Sequence, residues 1–165
     1  RYHHAPLPEP RIIKTTPLTG YMTCLTLLRG YLEEDKPVFV FTPTIQEGKS
    51  LFHFLSLFLP DGAVVSSKEE ERRIEIERFK SGRYKYLVTT SILERGVTIR
   101  NLQVIVYHAD HKIYNKAALI QIAGRAGRKI DATKGDVLFL SESSSKDEEE
   151  AIYEIHRTNK RANLL

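Results

Sequence analysis

Apolar residues along this chain follow two patterns: continuous runs, typical of buried strands, and a spacing of three or four residues, typical of helices. The run 38–42 is almost continuously apolar, as expected for a strand that is buried on both faces of a parallel sheet. Elsewhere apolar residues recur every three or four positions, as at Leu18, Met22 and Leu25, which predicts amphipathic helices. The pattern therefore predicts strands and helices that alternate along the chain.

The predicted elements define a fold class. Strands are predicted at 11–14, 38–42, 63–65, 86–90, 103–108 and 136–140, and helices at 18–34, 45–59, 68–80, 117–129 and 147–159. Ser67 is predicted to cap the third helix, whose first turn is acidic. Because helices that connect parallel strands cover both faces of the sheet, we predict a three-layer α/β domain with a mainly parallel sheet.

The composition fits one globular domain. The chain has 165 residues, of which 41% are hydrophobic and 28% are charged. Residues 1–10 contain three prolines and little periodicity, so they are predicted to be a linker that precedes a domain at 11–165. The formal net charge of +4 only weakly favours an anionic partner.

Cysteine content and hydropathy exclude several classes of protein. The single cysteine, Cys24, rules out an intrachain disulfide and a cysteine-based zinc site. The sequence has neither an apolar stretch long enough to span a bilayer nor a signal-peptide pattern. Since the chain starts at Arg1 without Met, we expect it to be a fragment of a longer protein.

The stretch 117–129 has a helical period but carries charge where a core stripe would be apolar. Four of its residues fall at i, i+3, i+4 and i+7, namely Gln121, Gly124, Arg125 and Arg128. They share one face if the helical turn persists. Burying two unpaired guanidinium groups is very unfavourable, whereas arginine binds phosphate through paired hydrogen bonds. This face is therefore predicted to meet an anionic group.

Hydroxyl groups follow several predicted strands, at the sheet edge where ligands bind in open α/β folds. The candidates for contacts to a nucleic-acid phosphate are Thr44, Ser67, Arg72 and Thr90. The alternatives are a plain helix cap for Thr44, an ion pair with a nearby glutamate for Arg72, and a capped turn without a ligand for the stretch that contains Thr90.

Two other patterns do not support a site. The tripeptide Gly-Lys-Ser at 48–50 lacks the first glycine of a Walker A loop and lies inside a predicted helix, so we interpret it as a solvated helix face. His108, Asp110 and His111 are too few for a supported metal site, and no metal site is predicted. No Asp-Glu pair ends a buried strand, so the chain alone is predicted to lack the parts that hold magnesium and a nucleotide.

Two stretches resemble a known family. Gln121-x-x-Gly124-Arg125-x-Gly127-Arg128 resembles motif VI of superfamily 2 helicases, and 88–99 resembles motif V. The resemblance covers nearly the whole chain and implies the second RecA-like domain of a helicase or translocase. The chain resembles the late competence ATPases, which serve DNA uptake, more closely than other members. The resemblance lies at 89–98, at 120–125 and in the leading Arg-Tyr-His with Leu-Pro.

The resemblance assigns roles to residues. Arg125 and Arg128 would stabilise charge on the transferred phosphoryl group, and Gln121 would orient the γ-phosphate or the attacking water. Gly96, Thr98 and Gly124 match positions near the nucleotide, although many family members carry Asp where this chain has Thr98. The four candidate phosphate contacts would hold the DNA backbone.

The resemblance also implies cofactors, partners and a location. ATP and Mg²⁺ would be bound mainly by a first RecA-like domain of the same protein, and zinc by a cysteine-rich region further upstream. The other partners would be single-stranded DNA, competence proteins at a membrane DNA channel and further copies of the chain. The protein would be cytoplasmic and peripheral at the inner face of the cell membrane. The fragment alone is expected to be inactive. The alternatives are a DNA helicase of the primosomal type and a non-enzymatic RecA-like nucleic-acid-binding module.

Overall fold

The computed structural model describes residues 7–65, 67–90, 99–127 and 135–164, and the structural statements below concern those residues. The strands are β1 (Arg11–Lys14), β2 (Val38–Phe41), β3 (Gly62–Val64), β4 (Tyr86–Thr89), β5 (Gln103–Tyr107) and β6 (Val137–Ser141). The helices are α1 (Gly20–Glu33), α2 (Ile45–Ser56), α3 (Glu69–Lys80), α4 (Lys116–Ala123) and α5 (Lys146–Leu164). The strands form one six-stranded sheet in the order β1-β6-β5-β2-β4-β3.

The sheet is parallel at every strand pair and is covered by helices on both faces. Alternate residues of β2 show that both faces of the sheet are covered. Phe39 and Phe41 belong to a buried cluster with side chains of α3, α4 and α5, whereas Val38 and Val40 belong to a second cluster with α1 and α2. A strand that is buried on both faces has no polar side, which explains its continuous apolar sequence. The predicted fold class is confirmed.

The predicted helix 117–129 is wrong in its extent, because α4 ends at Ala123 and the chain tightens into turns. Arg125 N–H donates to the carbonyl of Ile122, three residues back, instead of continuing the helical ladder. Gly127 then adopts a φ of 55°, a conformation that glycine tolerates and other residues rarely adopt. Gln121 and Arg125 therefore do not share the face of a continuous helix.

The predicted Ser67 cap of α3 is also wrong. The residue at that position is Lys68, whose side chain makes no capping hydrogen bond, and Ser67 lies one residue before it. The acidic first turn, Glu69 to Glu71, is present as predicted and favours the positive end of the helix dipole.

Helix α5 begins one residue before the predicted start, with a reciprocal cap. Ser145 N–H donates to Glu148 Oε1 at 2.7 Å, and Glu148 N–H donates to Ser145 Oγ at 3.0 Å. This Ser-x-x-Glu arrangement satisfies two N–H groups that a helix start would leave without partners. Among the described helices, α5 included, none is both long and apolar enough to cross a membrane.

The last residues of the predicted linker are held against α5. Leu7 N–H donates to Asn159 Oδ1 at 3.0 Å, and Asn159 Nδ2 donates to the carbonyl of Leu7 at 2.8 Å. His156 Nδ1 lies 3.1 Å from a carboxylate oxygen of Glu9. The chain therefore reaches β1 along a fixed path over α5, while the domain boundary at residue 11 stays a prediction.

We expect that Gly62→Ala will destabilise the domain. Gly62 begins β3 directly against the ring of Tyr86, which a Cβ at this position would overlap. Tyr86 is fully buried and its hydroxyl donates to the carbonyl of Leu59 at 2.7 Å, so the ring cannot move aside without losing that bond. The expected loss in the free energy of unfolding is about 1–3 kcal/mol, measured by urea denaturation.

Gly30→Ala is the matched control, because a Cβ at Gly30 meets nothing within 4 Å and the residue lies inside α1. Alanine favours a helix over glycine by about 1 kcal/mol, so this variant is expected to be more stable than the wild type. Equal stability of Gly62→Ala and the wild type would contradict the close contact at Tyr86.

Candidate functional site

A cleft of about 350 Å³ opens at the carboxyl ends of β2, β3 and β4, between the starts of α2 and α3. We call it the edge cleft. Its polar lining comprises threonines at the ends of β2 and β4, a serine before α3, a lysine in the second turn of α2, and a lysine and a glutamate at the start of α3: Thr42, Thr89, Thr90, Ser67, Lys49, Lys68 and Glu71. Because parallel strands end at the same sheet edge, groups far apart in sequence meet here.

The edge cleft contains two of the predicted DNA contacts, Ser67 and Thr90. The other two lie beside it and have partners within the protein. Thr44 Oγ1 accepts a hydrogen bond from Glu47 N–H at 3.1 Å and so caps α2. Arg72 Nη1 donates to the carbonyl of Ser67 at 3.4 Å, which braces the segment before α3. Contact of all four residues with DNA stays a prediction.

Lys49 and Lys68 line the edge cleft although the sequence pattern did not predict them as site residues. The tripeptide at 48–50 lies inside α2 as predicted, but its lysine lines the edge cleft and does not merely face solvent. Gly48 explains how α2 comes so close to the strands, since a Cβ on it would lie 2.9 Å from Thr42 Oγ1. Glu71 Oε2 is 3.9 Å from Lys68 Nζ, so part of the positive charge is balanced locally.

Gln121 and Gly124 lie elsewhere, in a cleft of about 310 Å³ between α4 and α5. Gln121 is exposed on the last turn of α4, and Gly124 caps that helix. Arg125 follows and is half-buried. The structure thus separates the glutamine and arginine predicted to meet the nucleotide from the edge cleft, where Ser67 and Thr90 meet.

The segment after Arg125 is anchored to the start of β5. Gly127 N–H donates to the carbonyl of Leu102 at 3.1 Å. Gly135 passes directly over this bond, because a Cβ on it would lie 2.6 Å from the Leu102 oxygen and 2.7 Å from Gly127 N. Only glycine fits this position without displacing the backbone that follows Arg125.

Three predicted site residues lie outside the described part of the chain. They are the catalytic candidate Arg128 and the nucleotide contacts Gly96 and Thr98. Their roles stay predictions from the motifs.

His108 connects the end of β5 to the start of α2. Its backbone has a φ of 60°, and its Nδ1 lies 2.8 Å from Glu47 Oε1. Asp110 Oδ1 lies 3.9 Å from the other ring nitrogen. Within the described residues, no group of three or more His, Cys, Asp or Glu side chains is placed to hold a metal ion.

Several described groups near the carboxyl edge have shifted pKa values, Tyr107 and Glu148 among them. Burial raises the pKa of the Tyr107 phenol to about 12. Burial also raises the pKa of the Glu148 carboxyl, although its hydrogen bonds to Ser145 act in the opposite direction. Tyr107 therefore stays neutral near pH 7, and Glu148 serves as a helix cap.

Comparison with known proteins places the chain in a family. Residues 21–130 match the helicase conserved C-terminal domain. The chain therefore belongs to this family of superfamily 2 helicase domains, as motifs V and VI predict. The fold agrees, since the C-terminal domain of the DEAD-box protein Dbp5 superposes with a TM-score of 0.68 at 20% identity, over 94% of this chain and 86% of that one.

Among individual proteins, the chain is similar to the competence protein ComFA. It is 35% identical to ComFA of Streptococcus pneumoniae over 99% of this chain, and 30% identical to ComFA of Bacillus subtilis over 98% of it. The predicted resemblance to late competence ATPases is thereby confirmed. The chain spans only 40% and 36% of the lengths of these two relatives.

Proposed function

We propose that the chain is the C-terminal motor domain of an ATP-dependent single-stranded DNA translocase that acts in DNA uptake during natural transformation. The observation that carries this proposal is the edge cleft, in which Ser67 and Thr90 lie with Lys49 and Lys68. Membership of the helicase C-terminal family supports the motor, and the similarity to ComFA supports the role in uptake.

The cleft groups suit a DNA backbone. Hydroxyl groups donate to phosphate oxygens, and the ammonium groups of Lys49 and Lys68 neutralise phosphate charge. Such contacts position a strand and carry little sequence information, so binding would be largely non-specific and sensitive to salt. This is the grip that a protein drawing in DNA of any sequence needs.

The α4 end suits the γ-phosphate side of a nucleotide. Gln121 offers an amide, Gly124 leaves room for close approach, and Arg125 offers a guanidinium fork. In the proposal, Arg128 joins them to stabilise the developing charge, and Gly96 with Thr98 lies near the nucleotide. ATP and Mg²⁺, held mainly by a first RecA-like domain, would supply the phosphoryl-transfer chemistry.

Two separate surfaces on one domain fit a translocase. Closure of the two RecA-like domains on ATP would bring Gln121 and Arg125 to the nucleotide, while the edge cleft keeps hold of the strand. Opening of the two domains would then let the edge cleft move along the strand. The proposal includes a cytoplasmic position at the inner face of the membrane, competence proteins of the DNA channel as partners, further copies of the chain, zinc in an upstream region, and no ATP turnover by this chain alone.

The salt dependence of DNA binding tests whether the edge cleft contacts the DNA backbone. In the complete protein, Lys49→Ala is expected to weaken binding to a single-stranded oligonucleotide and to reduce the slope of log K against log salt by about 0.7, the value for one phosphate contact. Fluorescence anisotropy across a salt series measures both. Lys160→Ala, which removes an exposed lysine of α5, is the control and should change neither. An unchanged affinity and slope for Lys49→Ala would contradict the proposed cleft.

A further inference from the structure

Ile45 is the most exposed of the apolar residues that line the edge cleft beside its polar groups. It is the first residue of α2, lines the edge cleft, and is 46% exposed. Val64 and Val65 line the same cleft and are only partly buried. The cleft therefore has an apolar side next to the hydroxyl and amino groups.

The size of the cleft exceeds what a phosphate group needs. Pockets that hold a small organic molecule measure about 300–1,000 Å³, and the edge cleft, at about 350 Å³, falls in that range. There is room for a base or a sugar beside a bound phosphate.

The spacing of Ile45 and Lys49 suits contacts with the base and the phosphate of one nucleotide. The two residues are one helical turn apart on α2, so they lie on the same face with their Cβ atoms about 5–6 Å apart. A phosphate held by Lys49 would place the attached nucleoside within reach of Ile45. Apolar side chains, isoleucine among them, pack against base faces in other nucleic-acid complexes.

We propose that Ile45 packs against a nucleobase of the bound single strand, beside the phosphate that Lys49 holds. This inference rests on the proposed function and extends it from the backbone to the bases. An apolar contact with a base face reads no donor or acceptor pattern, so every base is accepted and the binding stays non-specific. Removing the base should remove the contribution of Ile45.

The test compares two ligands of equal length and charge, oligo(dT) and an abasic oligodeoxynucleotide, in binding to the complete protein. Ile45→Ala is expected to weaken binding to oligo(dT) by about five-fold and to leave binding to the abasic strand unchanged. Ile45→Leu, which keeps the apolar volume, should bind oligo(dT) within about twofold of the wild type. Ile74→Ala is the matched control, because Ile74 is a 51% exposed isoleucine on α3 outside the cleft.

The outcomes separate this inference from the function it rests on. Equal losses on both ligands, or no loss on either, would overturn the base contact while leaving the DNA grip intact. If the wild-type protein bound neither ligand, the proposed function itself would fail. A loss confined to oligo(dT), restored by Ile45→Leu and absent in Ile74→Ala, is the result that supports the base contact.

Discussion

Arg128→Ala is expected to lower DNA-stimulated ATP hydrolysis of the complete protein by about 10³–10⁵-fold, the contribution of an arginine finger to phosphoryl transfer. The physical reason is that a guanidinium fork stabilises charge that develops only in the transition state. Arg128 stands in motif VI three residues after Arg125, and Arg125 directly follows Gly124, the residue that caps the end of α4. Steady-state ATPase assays with and without single-stranded DNA measure the effect.

Controls separate this role from folding and from general charge. Arg128→Lys keeps the charge but not the two-pronged geometry, so it should recover only part of the rate. Arg157→Ala removes an arginine of α5 that lies over the ring of Tyr153, and it should leave the rate unchanged. Normal hydrolysis by a folded Arg128→Ala protein would rule out the finger assignment.

Gly135→Ala is expected to lower the same ATPase rate by about 10²-fold without weakening DNA binding. The added Cβ would collide with the Leu102 oxygen and with Gly127 N, so the backbone at this contact, two residues after Arg125, must shift. A displacement of about 1 Å, even far from the reacting atoms, can cost 10²-fold in rate. The edge cleft lies between the starts of α2 and α3, away from this contact, so the affinity for DNA should remain.

The comparison uses Gly30→Ala as its control, because that substitution meets no neighbour within 4 Å. Its ATPase rate should equal that of the wild type. Circular dichroism would confirm that Gly135→Ala is folded. A folded Gly135→Ala protein with a normal rate would show that the Gly127 contact does not position the arginines.

Much of the fold was predictable because the apolar pattern reports burial directly. In β2, Phe39 and Val40 face opposite clusters, and a strand with both faces covered must be apolar throughout. Helix ends were less predictable, because neighbouring residues compete for the capping position. Ser67 has the chemistry of a cap, yet Lys68 occupies the position.

The candidate site was predictable only in part. Ser67 and Thr90 stand out because hydroxyl groups follow strands, and the structure does bring them into one cleft. Lys49 was not predicted as a site residue, because the tripeptide that contains it is not a Walker A loop. The periodicity of α2 also does not show that Lys49 lies in a cleft with the start of α3. Sequence spacing also suggested a helical face shared by Gln121 and Arg125, which the turn after Ala123 removes.

The sequence by itself determined the element types, the two-sided core and the chemical identity of motif VI, because periodicity and side-chain type are local properties. The tertiary structure decided which groups meet. Strand β2 pairs with both β4 and β5, and β3 pairs with β4, so the starts of α2 and α3 become neighbours at one sheet edge. That neighbourhood puts Ile45 and Lys49 beside Ser67 and Thr90, because strand order is set by packing between segments far apart in the chain.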